Sequence, residues 1–206
     1  MPSIFLDCLS AVFTRLPAGK DPSAAHLKRR YPVAVLLTLA GFAAMGLRFG
    51  PSPVLPAFCY LAAVAVPLGF IDARHWRLPD VLTLPSYPAA IALLGGAAPF
   101  IPNGPVFLMH ALIGCGTAVT LYLALSLVDG TGMGGGDVKL SGVLGLYLGW
   151  IGAPALVAGL LGAFVLAAAG GLALIVAGKA TARSQLPFGP CMLVAAIAAI
   201  LASPGL

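Results

Sequence analysis

Long apolar runs, separated by short polar or Pro/Gly-rich links, dominate the chain. Most of them are roughly 18 to 25 residues long, the length that a helix needs to cross about 30 Å of hydrocarbon. None alternates with the two-residue period of a barrel strand, so we predict helices whose backbone groups are satisfied internally. The fold class is predicted to be an all-α polytopic transmembrane bundle. Its seven spans are predicted at about residues 32–49, 53–71, 81–98, 105–128, 138–152, 154–177 and 188–204.

The N-terminal stretch differs from these runs. "MPSIFLDCLSAVFTRLP" is apolar but short, and it carries Asp7. It could be a stunted span, an interfacial helix or a signal-like segment, and it has no clear cleavage site. Together with a short cytoplasmic loop it makes up residues 1–31, ahead of a transmembrane domain predicted at 32–206.

Composition and charge support a membrane protein. Hydrophobic residues make up 60% of the 206 positions, and the mean hydropathy is +1.04, far outside the range of a soluble domain. The net charge of +5 could suggest nucleic acid. However, if the segment before residue 32 is cytoplasmic, every Lys and Arg except Arg48 falls on that side, as the positive-inside rule requires. The predicted partner is therefore a lipid bilayer and not nucleic acid.

Metal or cofactor chemistry is not indicated. The four cysteines are dispersed without a C-x-x-C pair, and the three histidines share no ligand spacing. We expect neither a disulfide framework nor a metal site, and no cofactor.

The acidic residues are all aspartates, and two of them stand at span ends. Asp72 ends one predicted span and Asp137 begins another, with two spans between them, so both can lie at the same membrane face. A lone aspartate at a helix end usually caps the first turn or meets headgroup water, which could explain Asp137. The same explanation suits Asp80, which precedes a span, and Asp129, which follows one in a loop. It does not suit Asp72, because the dipole at a helix C-terminus disfavours an anion.

A pair of carboxyl groups within or at the edge of the membrane indicates a functional site, because ionisable residues there are energetically costly. Two that are close together share a proton, which leaves one base and one acid at the same pH. The base could take a proton from water while the acid polarises a peptide carbonyl, as in aspartyl proteolysis. Two such aspartates could also carry protons or cations in a small transporter, or be dispensable in an inactive scaffold of a secretion or pilus assembly.

The glycines of "GMGGGDVKL" have two possible explanations. Gly134 and Gly136 could permit positive backbone dihedrals and let an extended substrate approach the acid. Glycines also line close helix contacts, which suits Gly142, Gly145 and Gly149 further along. Lys139 could neutralise charge near the aspartates or anchor the helix.

Three stretches together resemble the type IV prepilin peptidases, a family of G-x-G-D intramembrane aspartyl proteases. They are "DARHWRLPD", "GMGGGDVKL" and the Pro-Phe-Gly-Pro run before the last span. The resemblance implies that Asp72 and Asp137 are catalytic. It assigns the remaining motif positions to the active-site backbone or to a substrate-site or structural role: Gly134, Gly136, Lys139, Pro187, Phe188, Gly189 and Pro190.

The resemblance also implies a substrate and a location. The enzyme is expected to remove the basic leader of prepilins or pseudopilins after a glycine, at the cytoplasmic face of the bacterial inner membrane. Long members of the family insert a domain with paired C-x-x-C motifs that is linked to N-methylation. Here only "AGKDPSAAHLKR" separates the first two apolar segments, so cleavage without methylation is expected.

Overall fold

The computed structural model describes residues 23–75, 78–127, 134–178 and 187–204, with the side chains of 23–31, 74 and 75 outside that description. Regular elements in these ranges are helices, which confirms the predicted fold class. The predictions for residues 1–22 and for Asp129 fall outside the described residues. The helices are α1 (Ser23–Phe49), α2 (Leu55–His75), α3 (Asp80–Ala97), α4 (Gly104–Leu127), α5 (Gly135–Ile151), α6 (Ala153–Val176) and α7 (Phe188–Ala202), with a 3₁₀ turn at Ala98–Phe100.

Each predicted span corresponds to one helix, and the largest difference is at α1. This helix begins at Ser23, so residues assigned to a cytoplasmic loop are helical, and Pro32 lies inside the helix. The stretch before Pro32 is rich in Ala, Leu, Lys and Arg, which favour helix whether or not they are apolar. An apolar pattern marks where a helix enters the membrane and not where its backbone starts.

Five of the described helices are long and apolar enough to cross a membrane by length and composition, and the protein is a multi-pass membrane protein. The other two are shorter: α5 has 17 residues and α7 has 15. At about 1.5 Å per residue these two helices are roughly 22 to 26 Å long, less than the thickness of the hydrocarbon core. Both begin at motifs that the sequence singles out.

The chain divides into two compact units, Met1–Leu36 and Leu37–Leu206. In the first, the described part is the beginning of α1, where Val33, Val35 and Leu36 are exposed apolar residues. The second unit contains the rest of the helices and the whole candidate site.

Helix α5 is the core of the second unit. Residues 141–150 are all buried, as expected of a helix that is apolar around its whole circumference. Its glycines permit a very close crossing with α4: a Cβ atom added at Gly145 would lie 2.5 Å from the Gly114 carbonyl oxygen. The prediction that Gly142, Gly145 and Gly149 serve helix packing is confirmed, Gly142 against side chains of α3 and α4 and the other two against the backbone of α4.

At the end of the bundle opposite the motifs, Arg48 holds the last turn of α7. Its guanidinium donates hydrogen bonds to the carbonyl oxygens of Ser203 at 2.9 Å, Pro204 at 2.8 Å and Ile200 at 3.3 Å. Carbonyl groups at a helix C-terminus lack partners within the helix and attract a cation. This contact gives a structural role to Arg48, the one basic residue outside the predicted positive-inside pattern.

Candidate active site

Asp72 lies in the last turn of α2, with only 5% of its surface exposed. Its Oδ2 accepts a hydrogen bond of 3.0 Å from the backbone N–H of Gly189, in the first turn of α7. The first N–H groups of a helix have no partner within it and carry the positive end of its dipole. The start of α7 therefore compensates the anion that the end of α2 disfavours.

The Pro-Phe-Gly-Pro run makes this contact possible. Pro187 is extended (φ −66°, ψ 115°) just before α7, and Pro190 stands in the first turn, where a missing N–H costs no helical hydrogen bond. A Cβ atom at Gly189 would lie 2.6 Å from Asp72 Oδ2 and 3.0 Å from its Cγ. Only a residue without a side chain lets the carboxylate reach this backbone N–H.

Phe188 anchors the start of α7 among aromatic rings. Its centroid lies 6.0 Å from that of Tyr122 on α4 and 5.2 Å from that of Phe164 on α6. Tyr122 also lies within electrostatic range of Asp137. Sequence reasoning missed Tyr122 and Phe164, because nothing distinguishes them from other aromatic positions of apolar spans.

Asp137 lies in the first turn of α5 and is 9% exposed. Its backbone N–H donates a hydrogen bond of 3.0 Å to the carbonyl oxygen of Gly134, the N-cap residue. The carboxyl groups of Asp137 and Asp72 are close enough to interact electrostatically. Two buried acids from separate helices thus lie at the same end of the bundle, as the even number of intervening spans predicts.

The conformation predicted for the glycines before Asp137 is wrong. Gly134 has φ −72°, and the positive-φ glycines among the described residues are elsewhere, at Gly50, Gly152 and Gly178. Because α5 begins smoothly after Gly134, this turn needs no unusual dihedral. At Gly136 the reason for glycine is space, since a Cβ atom there would lie 2.9 Å from the Cβ of Leu78.

Lys139 forms an ion pair with Asp80, the first residue of α3. Its Nζ lies 2.7 Å from Oδ1 and 2.9 Å from Oδ2 of that carboxylate. The Tyr87 hydroxyl of α3 donates a 2.6 Å hydrogen bond to the carbonyl oxygen of Lys139. The expectation that Asp80 merely caps a helix or meets water is therefore corrected: it joins α3 to α5.

Fold and site define a polytopic helical membrane protein with a buried pair of aspartates. The sequence profile of the type IV leader peptidase family matches residues 58–205, and the chain belongs to this family. The matched region includes Asp72, Asp137 and the Pro-Phe-Gly-Pro run.

Similar proteins carry the name prepilin leader peptidase/N-methyltransferase. That of Aeromonas hydrophila is 37% identical over 184 residues, which cover 86% of this chain and 60% of the relative. That of Bacillus subtilis (strain 168) is 28% identical over 205 residues, covering 97% and 76%. The chain thus spans about three fifths of the length of the Aeromonas relatives. No solved structure matches the chain significantly.

Proposed function

We propose that this protein is an intramembrane aspartyl endopeptidase that removes the leader peptide of type IV prepilins or pseudopilins. The observation that carries the proposal is the pairing of Asp72 and Asp137. Both are buried, they come from different helices, and their carboxyl groups interact. Burying two acids within electrostatic range of each other is costly, and ionisable residues kept within a membrane usually have a function.

In the proposed mechanism, the two carboxyl groups share one proton. The ionised one takes a proton from water, whose oxygen attacks the peptide carbon, while the protonated one gives its proton to the carbonyl oxygen. The resulting tetrahedral diol collapses as the C–N bond breaks, and the departing nitrogen receives a proton from the carboxyl group that took one from water. The other carboxyl group recovers its proton from the diol, so the pair is regenerated.

The short helices support a site below the membrane surface. Helix α7 is 15 residues long, and its far end is held level with the end of α1 by Arg48. Because a helix of this length is too short to cross the hydrocarbon core, its start and Asp72 beside it are proposed to lie below the membrane surface. We place this end of the bundle at the cytoplasmic face of a bacterial inner membrane. The basic connections and the basic leader of a prepilin would both lie on that side.

The test is cleavage of a prepilin by the purified protein in detergent or liposomes, followed by a gel shift. Asp72→Asn and Asp137→Asn should each lower the rate by about 10²- to 10⁴-fold, because each removes half of an acid–base pair. Asp80→Asn is the matched control, since it neutralises a nearby aspartate outside the buried pair and should lower the rate by no more than about fivefold. Substantial processing by either variant of the pair would contradict the two-aspartate mechanism. A wild-type protein that leaves prepilin intact but moves protons or cations across liposomes would favour a transporter.

The second expectation concerns methylation. Because "AGKDPSAAHLKR" leaves no room for the cysteine-bearing insert, the mature pilin should keep a free N-terminal amine. Intact-mass analysis of pilin that was processed by this protein with S-adenosylmethionine supplied measures this directly. The gain of one methyl group, dependent on this chain, would overturn the expectation.

A further inference from the structure

Three contacts connect the beginning of α5 to α3 and to the residues just before it, and they surround the turn that carries Asp137. Leu78, just before α3, packs against Gly136 so closely that an added Cβ atom would lie 2.9 Å from its Cβ. The Tyr87 hydroxyl reaches the carbonyl oxygen of Lys139 at 2.6 Å. The Lys139 ammonium closes on the Asp80 carboxylate at 2.7 Å.

These contacts matter for the site because α3 follows directly after the helix that carries Asp72. The Asp72 carboxylate is held from one side by Gly189 of α7. Nothing else in the described residues ties the start of α5 to the α2–α3 part of the chain by charge. The α3–α5 contacts are therefore one of the connections that can set the separation of the two buried acids, beside the packing of α2 and α5 against α7.

Lys139 does not act on Asp137 by touching it. Residues two positions apart on a helix with 3.6 residues per turn point to nearly opposite sides. Asp137 is turned inward and buried, whereas the Lys139 side chain is 41% exposed and that of Asp80 is 56% exposed. The ion pair can influence the acid only through the backbone of the first turn of α5.

Resting on the proposed function, we infer that Asp80 and Lys139 form a positioning pair that sets the alignment of Asp137 with Asp72. The pair aligns the acids for the chemical step and does not bind substrate. Its loss should therefore lower kcat and leave KM nearly unchanged. The loss of kcat should be small, because both side chains of the pair are partly exposed, and solvent-exposed ion pairs contribute little and are screened by salt.

The experiment is a double-mutant cycle on prepilin cleavage with Asp80→Asn, Lys139→Gln and the two combined. Each single variant should lower kcat about two- to fivefold, with KM within about twofold of the wild type. The combined variant should lose no more than either single one, since the same interaction is removed in all three. Lys139→Arg retains the charge and should keep at least about half of the wild-type kcat.

Salt gives a second readout that a purely structural role would not produce. At about 1 M salt, where the Debye length falls to about 3 Å, the wild-type kcat should approach that of the combined variant, whose own kcat should hardly change. Arg48→Gln is the control, because it removes a cation and three hydrogen bonds at the opposite end of the bundle. It should lower the melting temperature without changing kcat.

Two outcomes would overturn the inference while the proposed function stands: single variants with wild-type kcat, or losses that multiply in the combined variant. A loss of kcat in Arg48→Gln equal to that of the pair variants would also overturn it, since stability alone would then explain the effect. A wild-type protein that does not cleave prepilin overturns the proposed function itself, and the positioning role with it.

Discussion

The two parts of helix α5 use glycine for different purposes. At its start, Gly136 leaves room for Leu78 of a neighbouring connection, and Gly134 and Gly135 are exposed. Further along, Gly145 and Gly149 let the backbone of α4 touch that of α5. Close crossings of this kind are how membrane helices gain packing energy without a hydrophobic driving force between them. One residue type in one helix thus serves a site at one end and stability along the rest.

The contrast has a counterpart at Gly189. This residue lies in the candidate site, and the closest neighbour of an added Cβ atom would be the Asp72 carboxylate itself. Glycine there governs a contact with a chemical group and not with a packing surface. Substitutions should therefore separate into those that unfold the protein and those that only stop cleavage.

The largest effect on stability is expected for Gly145→Ala. Its methyl group would lie 2.5 Å from the Gly114 carbonyl oxygen and 2.9 Å from the Ala118 Cβ, so two helices must move apart. The free energy of unfolding should fall by about 3 kcal/mol or more, measured by denaturation in detergent. Gly116→Ala on α4 is the control, because nothing lies within 4 Å of its added Cβ. Equal stability of the two variants would refute the close crossing.

Gly189→Ala should mainly affect activity. Because the new methyl would lie 2.6 Å from Asp72 Oδ2, the carboxylate must leave its hydrogen bond and shift. Displacement of a catalytic group by about 1 Å can cost on the order of 100-fold in rate, measured as prepilin cleavage. Gly69→Ala, about one turn before Asp72, places its Cβ at an ordinary 3.6 Å from a Leu193 methyl and should cleave normally. If the two variants cleaved equally well, the Gly189 contact would not matter for function.

Gly136→Ala should have an intermediate effect of both kinds. The added Cβ would lie 2.9 Å from the Leu78 Cβ and 3.4 Å from its backbone nitrogen. The short segment between α2 and α3 must therefore shift, and not a whole helix. We expect a loss of about 1 to 2 kcal/mol in stability and of about tenfold in cleavage rate, through displacement of Asp137. Gly135→Ala, with nothing within 4 Å of the added Cβ, is the neighbouring control. A larger stability loss than that of Gly145→Ala would reverse the contrast between the two parts of α5.

The smallest effect is expected for Tyr147→Phe in the packed part of α5. The Tyr147 hydroxyl is buried without a hydrogen-bond partner among the described residues, so its removal should change the free energy of unfolding by less than about 0.5 kcal/mol or raise it. Tyr87→Phe is the comparison, because that hydroxyl bonds to the Lys139 carbonyl and its loss should cost about 0.5 to 1.5 kcal/mol. Thermal unfolding of both variants measures the difference. A marked destabilisation by Tyr147→Phe would indicate that its hydroxyl has a partner in the membrane.

Sequence reasoning was most reliable where a residue's surroundings follow from its own stretch of chain. The apolar runs predicted each helix, because a backbone in lipid must satisfy its hydrogen bonds within the segment. The even number of spans between Asp72 and Asp137 predicted that they share one end of the bundle. It failed where neighbours come from elsewhere: positive dihedrals were proposed for Gly134 and Gly136, but the constraint at Gly136 is the space taken by Leu78.

By itself the sequence determined the helical bundle and the motifs that contain the acids. The tertiary structure alone decided which atoms those motifs bring together. Asp72 meets the Gly189 N–H across 117 positions of sequence, and Lys139 meets Asp80 across 59. The local sequence pattern predicts which segments are helices in lipid, because that depends on the residues of each segment alone. A contact between distant positions depends on how whole helices pack, and packing is decided by volumes and close approaches that no single stretch encodes.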